Sequence, residues 1–569
     1  MLFYDFEVFR YNWLVVIMDT ETRKVNICID NPKALKKFYD AHANDIWVGY
    51  NSRSFDQYIL KAILLDLDPF ELTQHIIQFQ KPAWMFSSKF NKYPLLNFDI
   101  MTDITKSLKQ LEGFMGNNIK ETDVAFNIDR PLNRDEIVET VKYCKSDVEN
   151  TMAVFMERIE EFNSQMALIK AFNLNIKYIS TTQTQLAAII LGARKKQHDD
   201  EFDITIVDTI KIRKYDNIVS WYKNYSNRDY KKYLKIEVSG VKHVFAWGGL
   251  HGAKDKYIGE GIFINSDVGS FYPSLMIEYD FLSRNVSDKS KYKDIYDTRM
   301  ELKKKKMKKE QAPYKLVLNK SYGATKDKNN NLYDPLQANN VCINGQLMLL
   351  DLIEKLECKY ELIQSNTDGV MFKLNSKDDI EPYKLLCKEW EERTRMTLEH
   401  DVIKKVIQKD VNNYLIVMED GSYKSKGAYV KKLDQLDYDL PIVNVALREY
   451  FLHDTSVENT INSCNKLIEF QKVVKVTGKF KSLAWNGKSI GEKCIRVFAS
   501  RSISDGPVRK INFSDEVVKI PNVPERCYIE NGDITDKRIS RKLDKSWYID
   551  MAIKRLEDFG ISDQIKLEV

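Results

Sequence analysis

The stretch 262–276 constrains the fold of this chain most, because an acidic residue follows directly on a strand-like apolar run. Residues 262–264 are typical of a strand buried in a sheet, and Asp267 lies where the run ends. The Ser-Phe-Tyr-Pro sequence at 270–273 then predicts a turn into a helix. A sheet fixes a carboxylate at the end of a strand and leaves it accessible, so Asp267 is a candidate metal ligand. The alternative is that Asp267 caps the helix.

A second segment places four residues on one face of a predicted helix. Lys315, Asn319, Tyr322 and Gly323 are spaced at i, i+4, i+7 and i+8, so they share a helix face about 12 Å long. This set suits the binding of a nucleoside triphosphate. Lys315 would bind phosphate, and Tyr322 and Gly323 would contact the flat base pair. The alternative is an ordinary amphipathic helix, but the apolar residues 316–318 lie mostly off this face.

A third segment, residues 362–372, predicts a β-hairpin. Two short apolar runs flank an Asn-Thr-Asp-Gly turn, which places Asp368 at its tip. In the order DxxSFYP, KxxxNxxYG and NTDG, the three segments closely resemble motifs A, B and C of family B DNA polymerases, especially the small bacteriophage members. The family usually has aspartate where this chain has Asn366. We expect this change to lower the rate or soften the choice of metal without abolishing the chemistry.

The resemblance implies that the chain adds dNTPs to a primer 3′ end by two-metal phosphoryl transfer. Asp267 and Asp368, with Val268, would hold two Mg²⁺ or Mn²⁺ ions, and Lys315 would stabilise the pyrophosphate leaving group. Tyr272 stands where the family's steric-gate tyrosine packs beneath the sugar and collides with a 2′-hydroxyl. The residues that the resemblance assigns to nucleotide binding are Ser270, Phe271, Tyr272, Lys315, Asn319 and Tyr322.

The N-terminal third carries a second group of acidic residues. Residues 2–9 alternate like a strand, so Asp5 and Glu7 project from one face, where they repel each other unless a cation lies between them. The alternative is an edge strand with solvated acids. Further along, Tyr143 and Asp147 share a helix face at i, i+4.

Together with the Asn-Ser-Arg-Ser-Phe-Asp sequence at 51–56, these segments resemble the three motifs of the DnaQ-like 3′–5′ proofreading exonucleases. The resemblance implies a second pair of divalent ions, a water oriented by Tyr143, and hydrolysis of a frayed primer end. The implied metal ligands are Asp5, Glu7, Asp56 and Asp147. A further lysine of the family has no clear match here, since the spacing at Lys120 is off by one.

Shorter segments resemble DNA-binding elements of the same family. Residues 245–249 resemble its YxGG element with Ala246 at the tyrosine position, and residues 412–414 resemble its KxY element without the lysine. The segment beginning at Ser107 resembles the element that grips a frayed primer end, although it also suits a plain helix start. The residues assigned to DNA are Asn51, Phe55, Ser107, Leu108, Gly248, Gly249, Gly323, Thr367, Tyr414 and Lys426.

We expect an α/β multidomain fold, with an RNase H-like exonuclease domain and a right-hand polymerase of palm, fingers and thumb. The predicted parts are the exonuclease domain (1–170), linker and first palm segment (171–287), fingers (288–330), remaining palm (331–434), and thumb with a C-terminal β-rich region (435–569). The fingers would contain a polar helix over 287–309 that ends in a lysine run, then a helix that begins at Pro313. The lysine run suits either a solvated helix face or a surface that binds the phosphate groups of the triphosphate or the template.

Composition and spacing narrow the class of enzyme. The net charge is only +5 over 569 residues, so a nucleic-acid surface must be a local basic stripe. The eight cysteines form no CxxC pair, which predicts a reducing cytosol, and no apolar stretch near the N-terminus is long enough for a membrane span or signal. The intervals between the three polymerase motifs leave no room for the insertions of protein-primed phage polymerases.

We therefore expect a cytoplasmic monomer of the phage type, whose partners are primer-template DNA and dNTPs, with a replisome helicase or single-strand binding protein as further candidates. One alternative is a 3′–5′ exonuclease whose polymerase half is weakened or only binds DNA, as Asn366 allows. A non-catalytic DNA-binding scaffold ranks last, because a scaffold does not need the carboxylates of the N-terminal third.

Overall fold

The structure is a computed structural model that describes residues 1–101, 105–427 and 429–561. It divides into two compact units. The first comprises residues 1–182, 433–442 and 462–548, and the second comprises residues 183–432, 443–461 and those from 549 onward. Several sheets and many helices confirm the mixed α/β, multidomain class. The finer assignment to exonuclease, palm, fingers and thumb stays a prediction.

A five-stranded sheet with the order β3-β2-β1-β4-β5 forms the core of the first unit. Its strands are β1 (Leu2–Val8), β2 (Trp13–Asp19), β3 (Val25–Ile29), β4 (Ile46–Gly49) and β5 (Leu96–Asp99). β1 pairs antiparallel with β2 and parallel with β4. Because side chains alternate along a strand, Tyr4 and Phe6 pack on one face while Phe3, Asp5 and Glu7 point to the other.

Helices cover both faces of this sheet. They are α1 (Pro32–Ala41), α2 (Asp56–Leu64), α3 (Pro69–Ile77), α4 (Leu108–Met115), α5 (Arg134–Glu157) and α6 (Ile159–Ala171). α5 begins at a capping box between Asn133 and Glu136 and packs on the Phe3 face through Val148 and Phe155. The acidic residues of β1 therefore face α5.

A nine-stranded antiparallel sheet forms the core of the second unit, in the order β14-β13-β12-β9-β11-β10-β8-β7-β6. Its strands are β6 (Tyr233–Val238), β7 (Val241–Ala246), β8 (His251–Ala253), β9 (Tyr257–Val268), β10 (Glu361–Ser365), β11 (Gly369–Leu374), β12 (Leu398–Asp410), β13 (Asn413–Met418) and β14 (Tyr423–Lys426). β10 and β11 confirm the predicted hairpin.

Seven helices of the second unit lie around the nine-stranded sheet. They are α7 (Gln183–Ile190), α8 (Asp216–Lys223), α9 (Phe271–Glu278), α10 (Ser290–Lys304), α11 (Lys308–Lys326), α12 (Pro335–Leu356) and α13 (Ile380–Thr394). α12 is buried along nearly its whole length, so it serves as the central core helix of the second unit. Among the described residues, none of the helices has the length and apolar character needed to cross a membrane.

Two sequence predictions about α10 and α11 are wrong. The lysine run does not end one helix, because α10 stops at Lys304 and α11 starts at Lys308, so the run covers the turn between them. Pro313 does not begin α11 but lies inside it. The preceding residues 308–312 are good helix formers, and a proline near a helix start removes only one backbone hydrogen bond.

The C-terminal region contains three further helices and seven short strands. The helices are α14 (Pro441–His453), α15 (Val457–Ser463) and α16 (Lys545–Asp558). The strands are β15 (Lys472–Lys475), β16 (Phe480–Trp485), β17 (Lys488–Ile490), β18 (Cys494–Ala499), β19 (Val508–Asn512), β20 (Val517–Lys519) and β21 (Cys527–Ile529). They form sheets of order β15-β18-β21 and β17-β16-β19-β20.

This β-rich region folds with the N-terminal sheet as part of the first unit. Gln471 Nε2 donates to the Phe114 carbonyl at 3.0 Å. The buried Arg496 guanidinium donates to the carbonyls of Gly113 and Asn117 at 3.2 and 2.8 Å. Arg496 therefore stabilises the interior of the first unit. Its guanidinium is buried and is not available to bind DNA.

Candidate active sites

Strand pairing in the second unit brings Asp267 and Asp368 together. Asp267 lies directly opposite Gly369 in the antiparallel pair β9-β11, so Asp368 is one residue from that register position. The backbone N–H of Val268 donates to the Asp368 carbonyl at 2.7 Å. The backbones that carry these two carboxylates, 101 positions apart in the chain, thus meet where the β10-β11 hairpin turn lies beside the end of β9.

The Asp267 carboxylate fits a cation. Its Oδ2 accepts a hydrogen bond from Asn265 Nδ2 at 2.8 Å, whereas Oδ1 is buried and accepts none among the described residues. A Cβ at position 369 would lie 2.0 Å from that Oδ1, so only glycine leaves room for the carboxylate here. A buried carboxylate oxygen without a donor costs free energy, which a divalent cation offsets.

Electrostatics support the same conclusion. Burial, followed by the negative charge of Asp368, raises the pKa of Asp267 to about 6. Two acidic groups that repel each other in this way are stabilised when a cation binds between them. Asp267 and Asp368 are therefore suited to hold a magnesium ion together with substrate phosphate oxygens.

Asn366 has a structural role in the hairpin turn. Its Oδ1 accepts hydrogen bonds from the backbone N–H groups of Asp368 at 3.1 Å and Gly369 at 2.7 Å. These bonds fix the backbone that carries Asp368. The amide thus keeps the turn shape at the position where the resembled family has a carboxylate.

A cavity of about 810 Å³ opens in front of these carboxylates. The sequence-predicted residues that line it are Asp267, Val268, Ser270, Phe271, Tyr272, Lys315, Asn319, Tyr322, Thr367 and Asp368. Arg299, Lys303 and Lys308 also line it and add positive charge. Acidic groups at one wall and cations at another match a metal-bound triphosphate.

The side chain of Arg299, which lies on α10, is fixed by a hydrogen bond to Ser270 at the start of α9. Its Nη1 donates to Ser270 Oγ at 2.5 Å, and its Nε has no hydrogen-bond partner among the described residues. Ser270 itself has a φ of 52°, a left-handed conformation that a non-glycine residue adopts at a cost. The cost is of the kind found at ligand sites, where the surroundings hold a residue in place.

The predicted face of α11 forms as expected. Lys315, Asn319 and Gly323 are exposed, while Val317 is buried on the opposite side and Leu318 is buried at the edge of the face, where it lines the cavity. The Tyr322 ring contacts the Tyr272 ring, with 4.3 Å between the ring centroids. Both rings line the cavity, so together they form one aromatic part of its wall.

The predicted DNA-binding residues outside the cavity lie on neighbouring elements. A Cβ at Gly249 would lie 2.7 Å from Thr367 Oγ1, so this loop approaches the hairpin turn closely, and Gly248 accepts a hydrogen bond from Gln346 through its carbonyl. Burial and the charges of Asp267 and Asp368 raise the pKa of Tyr414. The exposed Lys426 pairs with Tyr414 in the β13-β14 register.

Sequence reasoning missed Glu399. β12 places Glu399 opposite Asp267, its side chain lines the cavity, and its Oε1 lies 2.5 Å from Lys303 Nζ. Glu399 and Asp401 are two positions apart, a spacing that could have indicated an acidic face if a strand had been predicted here. Nothing local indicated that this strand pairs with β9.

In the first unit, four predicted metal ligands gather between β1, α2 and α5. Glu7, Asp56 and Asp147 are 7%, 3% and 9% exposed. Asp56 begins α2, and its Oδ1 accepts a hydrogen bond from the Phe6 backbone N–H at 3.1 Å. That bond fixes the Asp56 carboxylate beside the strand that carries Asp5.

The four carboxyl groups repel one another. Burial, followed by the charges of Asp56, Glu7 and Asp147, raises the pKa of Asp5 well above its usual range. Burial likewise raises the pKa of Glu7 far above normal and that of Asp56 to about 7. Carboxyl groups that are this close together and this deeply buried suit a binding site for divalent cations.

Lys109 is the second residue that the sequence did not indicate. Its Nζ lies 2.7 Å from Asp147 Oδ1, 3.0 Å from Glu112 Oε2 and 4.6 Å from the centroid of the Tyr143 ring. Lys109 thus supplies a cation beside the predicted water-orienting tyrosine, although no residue in the sequence clearly matched the family's lysine. In the sequence, Lys109 directly follows Ser107 and Leu108, and this position did not indicate a contact with Asp147 or Tyr143.

Hydrogen bonds to the Asp99 carboxylate fix the loop around Asn51. The Asp99 carboxylate accepts hydrogen bonds from the backbone N–H groups of Asn51, Arg53 and Met101, each at 2.9 Å. Asn51 is exposed, and Phe55 is half-buried at the start of α2. Asp99 was not predicted, and it positions the segment that carries Phe55 and Asp56.

Ser107 and Leu108 begin α4. The Ser107 side chain accepts the backbone N–H of Gln110, and the Gln110 side chain accepts the backbone N–H of Ser107. This capping box accounts for Ser107 as a helix start. Its contact with DNA stays a prediction.

The acidic group of the first unit predicts a pH-dependent stabilisation by Mg²⁺. A carboxyl whose pKa is higher in the folded state stabilises the fold only while protonated. That stability is present below about pH 4 and is lost as the pH rises through the folded-state pKa, about 7 for Asp56. We expect Mg²⁺ to raise the melting temperature at pH 8 by at least about 4 °C more than at pH 5.

Differential scanning fluorimetry with and without Mg²⁺ measures this difference. The control is the isosteric double variant Asp5→Asn/Glu7→Gln, which removes two of the repelling charges. It should melt at a higher temperature than the wild type in metal-free buffer at pH 8 and respond little to Mg²⁺. An equal response of both proteins would contradict the metal site.

Comparison with known proteins gives one kind of match. No protein-family model matches this chain, and no curated protein matches it. Among solved structures, the chain is similar to the family B DNA polymerase from the hyperthermophilic archaeon Pyrobaculum calidifontis. The match has a TM-score of 0.45 and 14% sequence identity, and it covers 98% of this chain and 77% of that one. We therefore base the function on the geometry of the two sites.

Proposed function

We propose that this protein is a template-directed DNA polymerase that extends a primer 3′ end with dNTPs and proofreads with a 3′–5′ exonuclease. The observation that carries the proposal is the pairing of Asp267 beside Asp368 in a cavity whose other lining includes Lys315 and Arg299. Carboxylates opposite cations, with room for a nucleotide between them, are what phosphoryl transfer from a triphosphate requires.

In synthesis, the chain's own residues bind and orient the nucleotide. Two divalent ions held at Asp267 and Asp368 would supply Lewis-acid activation of the primer 3′-hydroxyl and neutralise triphosphate charge. Lys315 binds the outer phosphates and stabilises the negative charge that develops on pyrophosphate. Tyr272 and Tyr322 pack against the sugar and base, so the reacting phosphorus is held at a fixed place.

In proofreading, the first unit hydrolyses the terminal phosphodiester of a frayed 3′ end. Divalent ions at Asp5, Glu7, Asp56 and Asp147 would activate the attacking water. Tyr143 holds that water, and Lys109 beside it orients the Asp147 carboxylate. A mispaired end unpairs at a lower free-energy cost than a matched end, which makes it the preferred substrate.

The second candidate is a 3′–5′ exonuclease whose polymerase half is weak or only binds DNA. Asn366 favours this alternative, because one carboxylate of the resembled motif is absent. Against it, the Asn366 amide holds the turn in a shape that still presents Asp368 beside Asp267.

Primer extension distinguishes the two candidates. A labelled primer on a longer single-stranded template is incubated with the four dNTPs and Mg²⁺, using the Asp5→Asn/Glu7→Gln variant to suppress digestion. We expect extension to the end of the template. Primer shortening by the wild type without extension by the variant would support the exonuclease alternative, and no activity at all would contradict both.

Tyr272 is expected to exclude ribonucleotides. Replacing Tyr272 with alanine removes the ring that a 2′-hydroxyl would strike, so the preference for dNTPs over NTPs should fall at least about 10²-fold, or about 2.7 kcal/mol. Single-nucleotide insertion kinetics with dGTP and GTP measure the ratio. Tyr296→Phe on α10 is a matched control that changes a tyrosine outside the cavity lining, and an unchanged ratio in Tyr272→Ala would contradict the gate.

A further inference from the structure

A buried thiol stands among the carboxylates of the first unit. Cys144 lies on α5, and its Sγ is 3.3 Å from the Asp5 carbonyl oxygen and 3.6 Å from Asp5 Oδ2. Ligand atoms of Asp5, Glu7 and Cys144 all lie within 4.8 Å of one another. The thiol therefore belongs to the same cluster as two of the proposed metal ligands.

A second observation points to a ligand at this place. Glu7 is 7% exposed, and within the ranges that the structure describes its carboxylate forms no hydrogen bond or ion pair; the one cation whose charge acts on it there, Lys109, is paired with Asp147 and Glu112. The Glu7 carboxylate is aimed into the space shared with Asp5 and Cys144. A buried carboxylate without a partner is costly, so the cluster is built to receive a cation.

The spacing suits a tetrahedral ion with one sulfur ligand. Zinc binds cysteine sulfur at about 2.3 Å and carboxylate oxygen at about 2.0–2.2 Å, so a tetrahedral angle places sulfur and oxygen about 3.5–3.7 Å apart. The observed separation of Cys144 Sγ and Asp5 Oδ2 is 3.6 Å. Glu7, whose carboxylate oxygen lies within 4.8 Å of both other ligand atoms, provides the third ligand, and the fourth position stays open.

We infer that Asp5, Glu7 and Cys144 form a binding site for a thiophilic divalent cation such as Zn²⁺ or Cd²⁺, which displaces Mg²⁺ and inhibits the exonuclease. Mg²⁺ prefers six oxygen ligands and does not recruit sulfur. Zn²⁺ and Cd²⁺ accept a thiolate, and the thiol releases its proton to solvent as it coordinates. The inhibited site holds the ion tetrahedrally and cannot offer the two-ion arrangement that hydrolysis requires.

The inhibition is selective for one of the two sites. No cysteine lines the cavity in front of Asp267 and Asp368 among the residues that the structure describes. The same concentration of Zn²⁺ should therefore suppress digestion while synthesis continues. This consequence rests on the proposed exonuclease function, but the binding of the ion does not.

Cadmium binding is measured first, because it needs no activity. The full-length protein is titrated with Cd²⁺ in the presence of Mg²⁺, and the ultraviolet charge-transfer band of a cadmium thiolate is recorded. We expect one equivalent of tight binding that is lost in Cys144→Ser. Cys28→Ser is the matched control, since Cys28 is a half-buried thiol of the same unit that donates to the Asn31 carbonyl.

Inhibition is measured second, on the same proteins. The Zn²⁺ concentration that halves digestion of a single-stranded 3′ end at fixed Mg²⁺ should rise at least 10-fold in Cys144→Ser and stay unchanged in Cys28→Ser. If no protein digests DNA, the proposed function fails while the cadmium titration still decides the site. If Cys144→Ser does not fold, Asp5→Asn should weaken Cd²⁺ binding without removing the thiol.

Equal cadmium bands in the wild type and Cys144→Ser would overturn the inference. So would equal Zn²⁺ sensitivity in the two proteins. Either result would show that Cys144 only packs between α5 and β1.

Discussion

Replacing Asp267 with asparagine should lower primer extension at least about 10³-fold, which corresponds to about 4 kcal/mol of transition-state stabilisation. Asparagine keeps the shape of the side chain, and its amide oxygen can still accept the hydrogen bond from Asn265. The change removes the charge that binds the shared cations, so the effect falls on the chemical step. Single-turnover extension at saturating dNTP measures it.

Two controls accompany this variant. Digestion of a single-stranded 3′ end by Asp267→Asn should stay within about twofold of the wild type, because the first unit keeps its own carboxylates. Asp297→Asn, which alters an exposed carboxylate on α10 paired with Lys293, should extend primers normally. Normal extension by Asp267→Asn would contradict the assignment of this carboxylate.

The Asp5→Asn/Glu7→Gln double variant should lose 3′–5′ digestion by at least about 10³-fold while primer extension stays within about twofold. Both changes keep side-chain shape and remove the charges that hold the ions. Because these charges also repel each other in the metal-free fold, the variant should be more stable than the wild type, so unfolding cannot explain the lost activity.

The matched control for digestion is Glu149→Gln on α5. Glu149 is exposed, and its one ion pair in the described part of the chain is with Lys145, at 3.7 Å. Its digestion rate should equal that of the wild type. Retained digestion in the double variant, measured by gel electrophoresis of a labelled strand, would show that the acidic group of the first unit is not the nuclease site.

Regular spacing along single elements was predictable from the sequence. Period-two alternation placed Asp5 and Glu7 on one face of β1, and i, i+4 spacing placed Lys315 and Asn319 on one face of α11. A helix or strand fixes the direction of its own side chains, so these predictions needed no knowledge of the rest of the fold.

Contacts between distant segments gave no local signal. The interval between the second and third polymerase motifs predicts a turn and one helix over 344–355, whereas α12 begins at Pro335. In the structure the side chains of Asn340 and Asn344 accept the backbone N–H groups of Thr205 and Val207 at 2.8 and 2.9 Å. Buried amides of this kind stabilise a helix that local propensity does not favour.

The same reason explains the missed site residues. Lys109 reaches Asp147 only because α4 packs against α5, and Cys144 reaches Asp5 only because α5 crosses β1. Motif spacing describes which residues share an element. It does not describe which elements meet.

The most direct test is anomalous diffraction from crystals grown with Mn²⁺, a primer-template and a non-hydrolysable dNTP analogue. We predict two manganese peaks about 3.5–4 Å apart, both bound to carboxylate oxygens of Asp267 and Asp368. An absence of manganese between these two side chains, with the nucleotide in place, would contradict the account.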